Sequence, residues 1–309
     1  MPPQKVFYCS IKSKKYEGEM FMELKKSILE LIRKAATDLS PDVEQVLSNA
    51  YEREDEGTPA KSVFNTILEN VRMARENSTP ICQDTGSLIF YIDFPVGDAE
   101  KTYREAIEWA AKEATALQYL RPNAVDPLTA KNSGNNIGVN APYIHFHQWD
   151  KDEVRIRLML KGGGSENVGT QYKLPHPPLK AGRDLKGIRK LIIDAVTQAQ
   201  GLGCAPGVIG VGIGGGRDSA YTLSKEQFFR KIGERSTNKE LADLEKSLYK
   251  DLNTLSIGPM GFGGKTTVLE VFIASQARHP ATFFVSISYT CWAFRRKTMT
   301  IKNGEVNYD

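Results

Sequence analysis

The apolar positions of the chain repeat first with the period of a helix. Between Met20 and about Arg75, leucine and isoleucine recur at steps of three and four residues, and this spacing predicts amphipathic helices. Ser40 and Thr58 each precede a proline, so each suits the N-cap of a helix whose first turn tolerates proline. The pattern therefore predicts three helices before residue 78.

Farther along the chain, segments with the alternation of strands become frequent. Helices are expected near residues 99–117, 186–199 and 239–251, and a capping box predicts a further helix that begins at Ser224. Strands are predicted at residues 87–96, 143–148, 154–160, 207–213, 266–274 and 282–290. We therefore expect a mixed α+β fold, in which N-terminal helices are followed by β-sheets packed with helices.

Length and charge indicate a globular protein. At 309 residues the chain can bury a full core, as one large domain or as two packed lobes. Residues 1–19 are polar, rich in lysine and without clear periodicity, so we expect a disordered basic arm ahead of one domain at 20–309. The net charge is only +4, and the arm contributes part of it. The composition therefore gives no reason to expect a nucleic-acid partner.

Hydropathy and cysteine content bear on the compartment. The longest apolar stretch, residues 281–294, contains serines and threonines and is too short to cross a bilayer. The N-terminus has no apolar segment of signal-peptide length. Four cysteines are too few for a disulfide scaffold in a chain of this size. We therefore expect a cytoplasmic protein without membrane contact, whose thiols are free to bind metal.

Three cysteines lie in segments that resemble loops of an active site. Cys82 is followed directly by Gln83 and Asp84, Cys204 follows a glycine, and Cys291 follows a β-rich segment. A free cysteine is most often a small buried residue, and none of these has the short spacing of a zinc site. Three thiolates from such distant segments could instead hold an iron–sulfur cluster with one iron left open, which favours catalysis over electron transfer.

Two glycine-rich segments resemble nucleotide-binding motifs. Residues 210–215 fit G-x-G-x-x-G, but the helix expected from Ser224 starts too late to bind a pyrophosphate. Residues 261–266 resemble a phosphate loop, yet Pro259 stands where its first glycine belongs, and a strand is predicted to follow. A dinucleotide-binding module at 210–215 is kept as an alternative.

The histidines allow several interpretations. His145 and His147 alternate on a predicted strand and face the same side, which suits either a zinc pair or, more commonly, a hydrogen-bonded sheet face. His176 lies in a proline-rich turn. His279 lies in a turn between two predicted strands and can equally be an ordinary turn residue.

Six segments in the same order carry a resemblance to one family. From about residue 22 to 301, the chain resembles the α subunit, or N-terminal domain, of class I fumarases and L-tartrate dehydratases. Co-linear motifs of this number are far more specific than any single pattern. The matching segments are residues 81–86, 140–142, 161–167, 203–207, 258–264 and 289–293.

The resemblance implies a [4Fe–4S] hydro-lyase. Cys82, Cys204 and Cys291 match the three cluster ligands of the family, and the fourth iron is left to the substrate. Asp84 and His279 match the pair that handles the proton on the departing hydroxyl. The positions that hold the dicarboxylate substrate are matched by Gln83, Asp84, Arg121 and Gly163.

The resemblance also implies a second subunit. Fused members of the family continue into a domain that carries the general base and further cationic substrate ligands. Because this sequence ends at Asp309, we expect it to be an α subunit completed by a separate β chain, in a heterodimer or an α2β2 heterotetramer. Fumarate and (S)-malate are the expected substrates, and L-tartrate is the near alternative. An electron-carrying protein with Cys9 as fourth ligand is a more distant one.

Overall fold

A computed structural model gives the structure of residues 10–309 and describes side chains from residue 18 onward. Cys9 and the first part of the expected basic arm lie outside the described residues. The first helix begins at Ser10, ahead of Met20, where the helical pattern starts. Within the described range, no helix combines the length and the apolar character that crossing a membrane requires.

The helices are α1 (Ser10–Thr37), α2 (Pro41–Arg53), α3 (Pro59–Asn77), α4 (Glu100–Ala116), α5 (Gly163–Asn167), α6 (Leu185–Ala199), α7 (Arg217–Glu226) and α8 (Lys239–Asn253). The strands are β1 (Ser87–Pro95), β2 (Tyr143–Trp149), β3 (Val154–Lys161), β4 (Thr170–Lys173), β5 (Gly207–Ile213), β6 (Val268–Ser275), β7 (Phe284–Thr290), β8 (Arg296–Lys302) and β9 (Glu305–Tyr308).

The first sheet has five strands in the order β2-β1-β3-β8-β9. Strand β1 runs parallel to β2 and antiparallel to β3, and β8 pairs with the other side of β3. Successive residues of β1 point to opposite faces. Leu88, Phe90 and Ile92 join a core with α1 and α4, whereas Ile89 and Tyr91 face a second core. Strand β1 is thus covered on both faces.

The second sheet has four strands in the order β4-β7-β5-β6, and only β5 and β6 are parallel. Helices α6 and α8 pack on one face and α7 on the other. A Cβ on Gly210 would lie 2.2 Å from the carbonyl oxygen of Ser224, and one on Gly212 would lie 2.1 Å from that of Ala220. These glycines therefore let α7 approach β5. A dinucleotide motif instead places its first glycine in the turn after the strand.

The second core, which Ile89 and Tyr91 face, lies between the two sheets and joins them. It contains apolar residues of α2 and α3, one face of β1, and the side of β5 and β6 that faces α7. Phe228, Phe272 and Phe294 are fully buried in it. Ile81 enters this core from the segment ahead of β1, and Cys291 packs against it after β7. Two of the three cysteine segments therefore border the same core.

The mixed α+β class is confirmed, and β5 has the predicted bounds. The helix start predicted at Ser224 is wrong, because α7 begins at Arg217, directly after the glycine turn at 214–216. Ser224 is buried near the end of α7, and its hydroxyl lies 2.7 Å from that of Ser288. The start of α7 therefore does not exclude a nucleotide site at residues 210–215. The first two glycines of the motif do, because they lie inside β5 and not in the turn that follows it.

Residues 294–297 are buried, although their charges predict a solvated strand end. They lead into β8, which pairs inside the first sheet, and the apolar pattern predicts neither β8 nor β9. Arg296 donates to the carboxylate of Asp42 over 2.6 Å, and Lys297 donates to the backbone oxygen of Asp309 over 3.3 Å. Acceptors that are distant in sequence therefore accommodate charges that look exposed along the chain.

Candidate active site

The two sheets bring the three cysteine segments to one end of the molecule. Cys82 precedes β1, Cys204 precedes β5, and Cys291 follows β7. Strands β5 and β7 are antiparallel neighbours, so the start of one lies beside the end of the other. The backbone N–H of Trp292 donates to the carbonyl oxygen of Cys204 over 3.2 Å and ties these two segments together.

The three thiols are free, half-buried and close enough to influence one another. Burial raises the pKa of Cys204, and the charges of Cys291 and Cys82 raise it further. Burial also raises the pKa of Cys291, against the opposing effect of the Arg295 guanidinium. Mutual repulsion of this kind disfavours three bare thiolates, and a cationic metal group would relieve it.

The loop that carries Cys204 is fixed by close packing around an aromatic ring. Cys204 has a positive φ of 56°, which few non-glycine residues adopt. A Cβ on Gly203 would lie 2.6 Å from the ring of Tyr289, and one on Gly207 would lie 2.3 Å from it. The two glycines therefore allow the loop to wrap around this buried ring, and the wrapping sets the position of Cys204.

The Asp84 carboxylate is held by backbone N–H groups beside the cysteines. Gly163 donates to Oδ2 over 2.7 Å, and Gly86 donates to Oδ1 over 3.0 Å. A Cβ on Gly162 would lie 3.1 Å from Oδ2, so glycine at this position leaves room for the carboxylate. The charge of Asp84 also contributes to the raised pKa of Cys204. Asp84 is thus a fixed carboxylate next to the thiols.

Thr85 anchors the loop that carries Arg121. The Thr85 hydroxyl accepts from the backbone N–H of Arg121 over 3.0 Å and from the amide of Asn123 over 3.0 Å. The Arg121 residue is exposed, as is Gln83 on the other side of Asp84. The structure thus brings Gln83, Asp84, Arg121 and Gly163 to the same region as the three cysteines.

His279 lies at the opposite end of the second sheet. It is in the turn between β6 and β7, whereas Cys291 follows β7, and a seven-residue strand spans roughly 20 Å. Its ring Nδ1 accepts from the backbone N–H of Ala281 over 3.1 Å, and the side chain is exposed. Within one chain, His279 therefore does not reach Asp84.

A cleft of about 630 Å³ adjoins the site at Gly163. The buried ammonium of Lys161 lies at its wall, 2.9 Å from the Ser165 hydroxyl and 3.1 Å from the Glu166 carboxylate. Burial lowers the pKa of Lys161, and the charge of Glu166 opposes this shift. Lys225 also pairs with Glu166. No role is predicted for these groups from the sequence, although a lysine between an apolar strand and three glycines is itself a signal of a functional site.

The donor set fits an iron–sulfur cluster better than a single ion. Among residues 18–309, no three His, Cys, Asp or Glu side chains converge closely enough to surround one metal ion. In a [4Fe–4S] cluster each cysteine binds a different iron, so its ligands approach one another without meeting at a point. A cationic metal group and three thiolates together leave a net negative charge, which suits the buried guanidinium of Arg295, a group without an acceptor among the described residues. Cys82, Cys204 and Cys291 are the residues that would hold the cluster.

Comparison with known proteins assigns the family. Residues 25–300 match the family described as fumarate hydratase (Fumerase). The chain belongs to this family. Among its relatives, a protein of Geobacillus stearothermophilus that carries the name of a class I fumarate hydratase is 49% identical over 92% of the chain. The match covers only 56% of that relative, so the chain spans little more than half of its length.

Other members of the fumarate hydratase family are named for a different substrate. A protein of Methanocaldococcus jannaschii with the name of an L(+)-tartrate dehydratase subunit alpha is 38% identical over 91% of the chain and 98% of its own length. The L(+)-tartrate dehydratase subunit alpha of Escherichia coli is 32% identical over 86% of both chains. Family membership therefore leaves both fumarate and tartrate as candidates.

Proposed function

We propose that this chain is the α subunit of a two-subunit [4Fe–4S] hydro-lyase that interconverts fumarate and (S)-malate. The observation that supports this most is the convergence of three free thiols beside the fixed carboxylate of Asp84. The identity to a relative named as a class I fumarate hydratase, at 49%, favours fumarate over tartrate.

The proposed reaction must remove a weakly acidic C3 proton and expel hydroxide from a 2-hydroxydicarboxylate. Cys82, Cys204 and Cys291 would hold a cluster with one iron free of protein ligands, and this iron would act as a Lewis acid that makes the hydroxyl a better leaving group. Asp84 is held so that its carboxyl can deliver a proton to that hydroxyl as it departs. The exposed guanidinium of Arg121 can bind both oxygens of a substrate carboxylate.

Gln83 and Gly163 complete the proposed substrate site on this chain. Gln83 is exposed directly beside Asp84, so its amide can donate to a substrate oxygen. Gly163 has no side chain, and it lines the 630 Å³ cleft. A dicarboxylate can therefore approach the Asp84 carboxylate from the cleft without a steric barrier at this residue. Three cations, Lys161, Lys225 and Arg104, line the cleft against the single carboxylate of Glu166, and this balance of charge favours an anionic ligand.

The proposed Asp84–His279 pair requires a second copy of the chain, because β7 separates the two residues within one copy. Subunit mixing tests this. Asp84→Asn and His279→Asn enzymes, each inactive alone, should regain activity when their chains are exchanged, since a hybrid contains one site with both native residues. A mixture that stays inactive after verified exchange would remove His279 from the proton-transfer pair.

The general base and further cationic substrate ligands are proposed to lie on a β subunit. Two of the relatives are named as alpha subunits, and the chain spans only 56% of the class I relative. We place the complete enzyme in the cytoplasm, where free thiols persist and a cluster can be assembled. An α2β2 heterotetramer provides the second copy of the chain that the Asp84–His279 pair needs, whereas an αβ heterodimer would leave His279 outside the proton-transfer pair.

Activity measured with both subunits tests the proposal. The chain is co-purified anaerobically with its β partner, and fumarate hydration is compared with L-tartrate dehydration. We expect kcat/KM for fumarate to exceed that for tartrate by at least about tenfold, which corresponds to roughly 1.4 kcal/mol of transition-state discrimination. The reverse preference would make the protein a tartrate dehydratase α subunit. Activity with neither substrate in an iron-loaded enzyme would contradict the assignment.

An electron-carrying role predicts a different dependence on Cys9. A carrier would need a fourth cysteine ligand, whereas a hydro-lyase leaves one iron open. We expect Cys9→Ser to keep both its iron content and its hydratase activity. Loss of the cluster in this variant would favour the carrier.

A further inference from the structure

Arg295 is a buried cation in the loop that follows Cys291, the third cysteine. Only 2% of its surface is exposed, and its Nε and Nη1 atoms are buried without a hydrogen-bond partner among the described residues. The backbone fixes its position, because its N–H donates to Ala293 over 2.9 Å and its carbonyl oxygen accepts from Leu160 over 3.0 Å. The side chain is therefore held in place with unused donors.

The next two residues differ from Arg295 because each has at least one acceptor, although Nη1 of Arg296 also lacks a partner among the described residues. Arg296 is also buried, but it donates to the Asp42 carboxylate and to the carbonyl oxygen of Arg230. Lys297 donates to a backbone oxygen. A buried charge without an acceptor costs free energy, so a position that keeps one indicates a negative group that the chain alone does not provide.

The surroundings of Arg295 identify where that negative group lies. The Arg295 charge acts on the Cys291 thiol. A Cβ on Gly162 would lie 3.7 Å from Arg295 Nη2 and 3.1 Å from Asp84 Oδ2. Since Gly162 has no Cβ, a gap stays open between the guanidinium and the carboxylate. Arg295 thus lies near Cys291, and the gap at Gly162 lies between its guanidinium and the Asp84 carboxylate.

We propose that Arg295 is a positioning residue that balances the negative charge of the thiolates of Cys82, Cys204 and Cys291 and of the cluster they hold. The proposal rests on the function proposed above. Three thiolates contribute three negative charges to the site. A fixed positive charge beside them stabilises the more negative, reduced form, and Arg295 should therefore raise the reduction potential of the cluster. Its unused N–H groups can donate to sulfur.

Burial distinguishes Arg295 from a substrate ligand. A dicarboxylate arrives from solvent, and Arg121 is exposed to meet it. Arg295 has two of its three guanidinium nitrogens sealed from solvent. The other buried cation near Cys291, Lys161, is already paired with Glu166. Among the described residues, Arg295 is therefore the buried cation near Cys291 that has no acceptor of its own.

A redox titration followed by EPR tests the proposal on the full chain after anaerobic loading with iron and sulfide. Arg295→Met should lower the reduction potential and speed the loss of iron to a chelator by at least about tenfold, since groups around metal ligands commonly change affinity by this much. Arg295→Lys, which keeps the charge, should fall between it and the wild type. Arg121→Met should keep the wild-type potential and lose only the spectral response to malate.

The possible outcomes distinguish a failure of the proposed role of Arg295 from a failure of the proposed hydro-lyase function. Wild-type protein that binds no cluster would overturn both. A loaded wild type with an Arg295→Met variant of unchanged potential and unchanged iron release would overturn the role of Arg295 alone. A variant that loses only the malate response would make Arg295 a substrate ligand, which would also overturn the proposal.

The thermal stability of the cluster-free protein provides a second readout. Removing an unpaired buried charge should leave the melting temperature unchanged or raise it in Arg295→Met. Arg296→Met should lower it, because Asp42 loses its partner. An equal loss of stability in both variants would show that Arg295 is a structural residue of the apo fold and would contradict the proposal.

Discussion

Both ends of the four-stranded sheet contain glycine-rich loops and an arginine, but their polar groups find hydrogen-bond partners to different extents. At the far end, the glycine turn after β5 bonds to Phe284 and Ala277, and Arg278 donates to three backbone oxygens around His279. At the cysteine end, three thiols and the Arg295 guanidinium are brought together with few partners. Glycines complete a hydrogen-bonded turn at the far end, whereas at the cysteine end Gly162 leaves a gap between the Arg295 guanidinium and the Asp84 carboxylate. The end that combines free thiols with a buried, unpaired cation is the one that suits a cofactor.

Removing one thiol should produce the largest change at the cysteine end. Cys291→Ser should lose most of its bound iron, and kcat should fall by on the order of 10³-fold or more, because the Lewis acid contributes several kcal/mol to the transition state. Iron analysis and fumarate hydration measure both. Since the site is remote from the far end, His279→Asn should keep wild-type iron content. A Cys291→Ser enzyme with full iron would refute its role as a ligand.

Replacing the fixed carboxylate should reduce activity without removing iron. Asp84→Asn keeps the shape of the side chain but cannot exchange a proton, so kcat should fall by about 10²- to 10⁴-fold. Its EPR spectrum without substrate should match that of the wild type. A near-normal kcat in this variant would place proton transfer elsewhere.

A single methyl group in the gap at Gly162 should have a smaller effect. Its Cβ would lie 3.1 Å from Asp84 Oδ2 and would displace the carboxylate by a few tenths of an ångström. Misplacement on this scale should lower kcat by about 10- to 100-fold with iron content retained. Gly164→Ala is the matched control, since its Cβ would lie 3.7 Å from the nearest atom, the Leu202 carbonyl oxygen. Equal losses in the two variants would argue against a steric cause.

Local sequence patterns predict much of the fold. Proline after an N-cap residue marks the starts of α2 and α3 correctly, and the Thr58 hydroxyl accepts from the N–H of Lys61. Alternation gives the exact bounds of β5. Helix α7 is placed wrongly because its start depends on the close approach of the helix to Gly210 and Gly212, which is a tertiary contact.

The cysteines of the candidate site can be predicted from the sequence, whereas the charged groups around them are harder to predict. The cysteines stand out because loop residues flank them. Arg295 does not stand out, because its burial depends on β8 and on Leu160, far earlier in the chain. His279 is twelve residues from Cys291 in sequence, yet a fully extended strand separates them. Sequence distance cannot show which end of a sheet a turn occupies.

The most direct test of an open-iron site at the cysteine end is low-temperature EPR on anaerobically purified protein, with iron and sulfide analysis. We predict about four irons per chain and a spectrum that changes when malate or fumarate is added, because an iron without a protein ligand can bind the substrate. Protein that binds no iron under strict anaerobiosis, or a cluster whose spectrum ignores both dicarboxylates in the complete enzyme, would contradict this account.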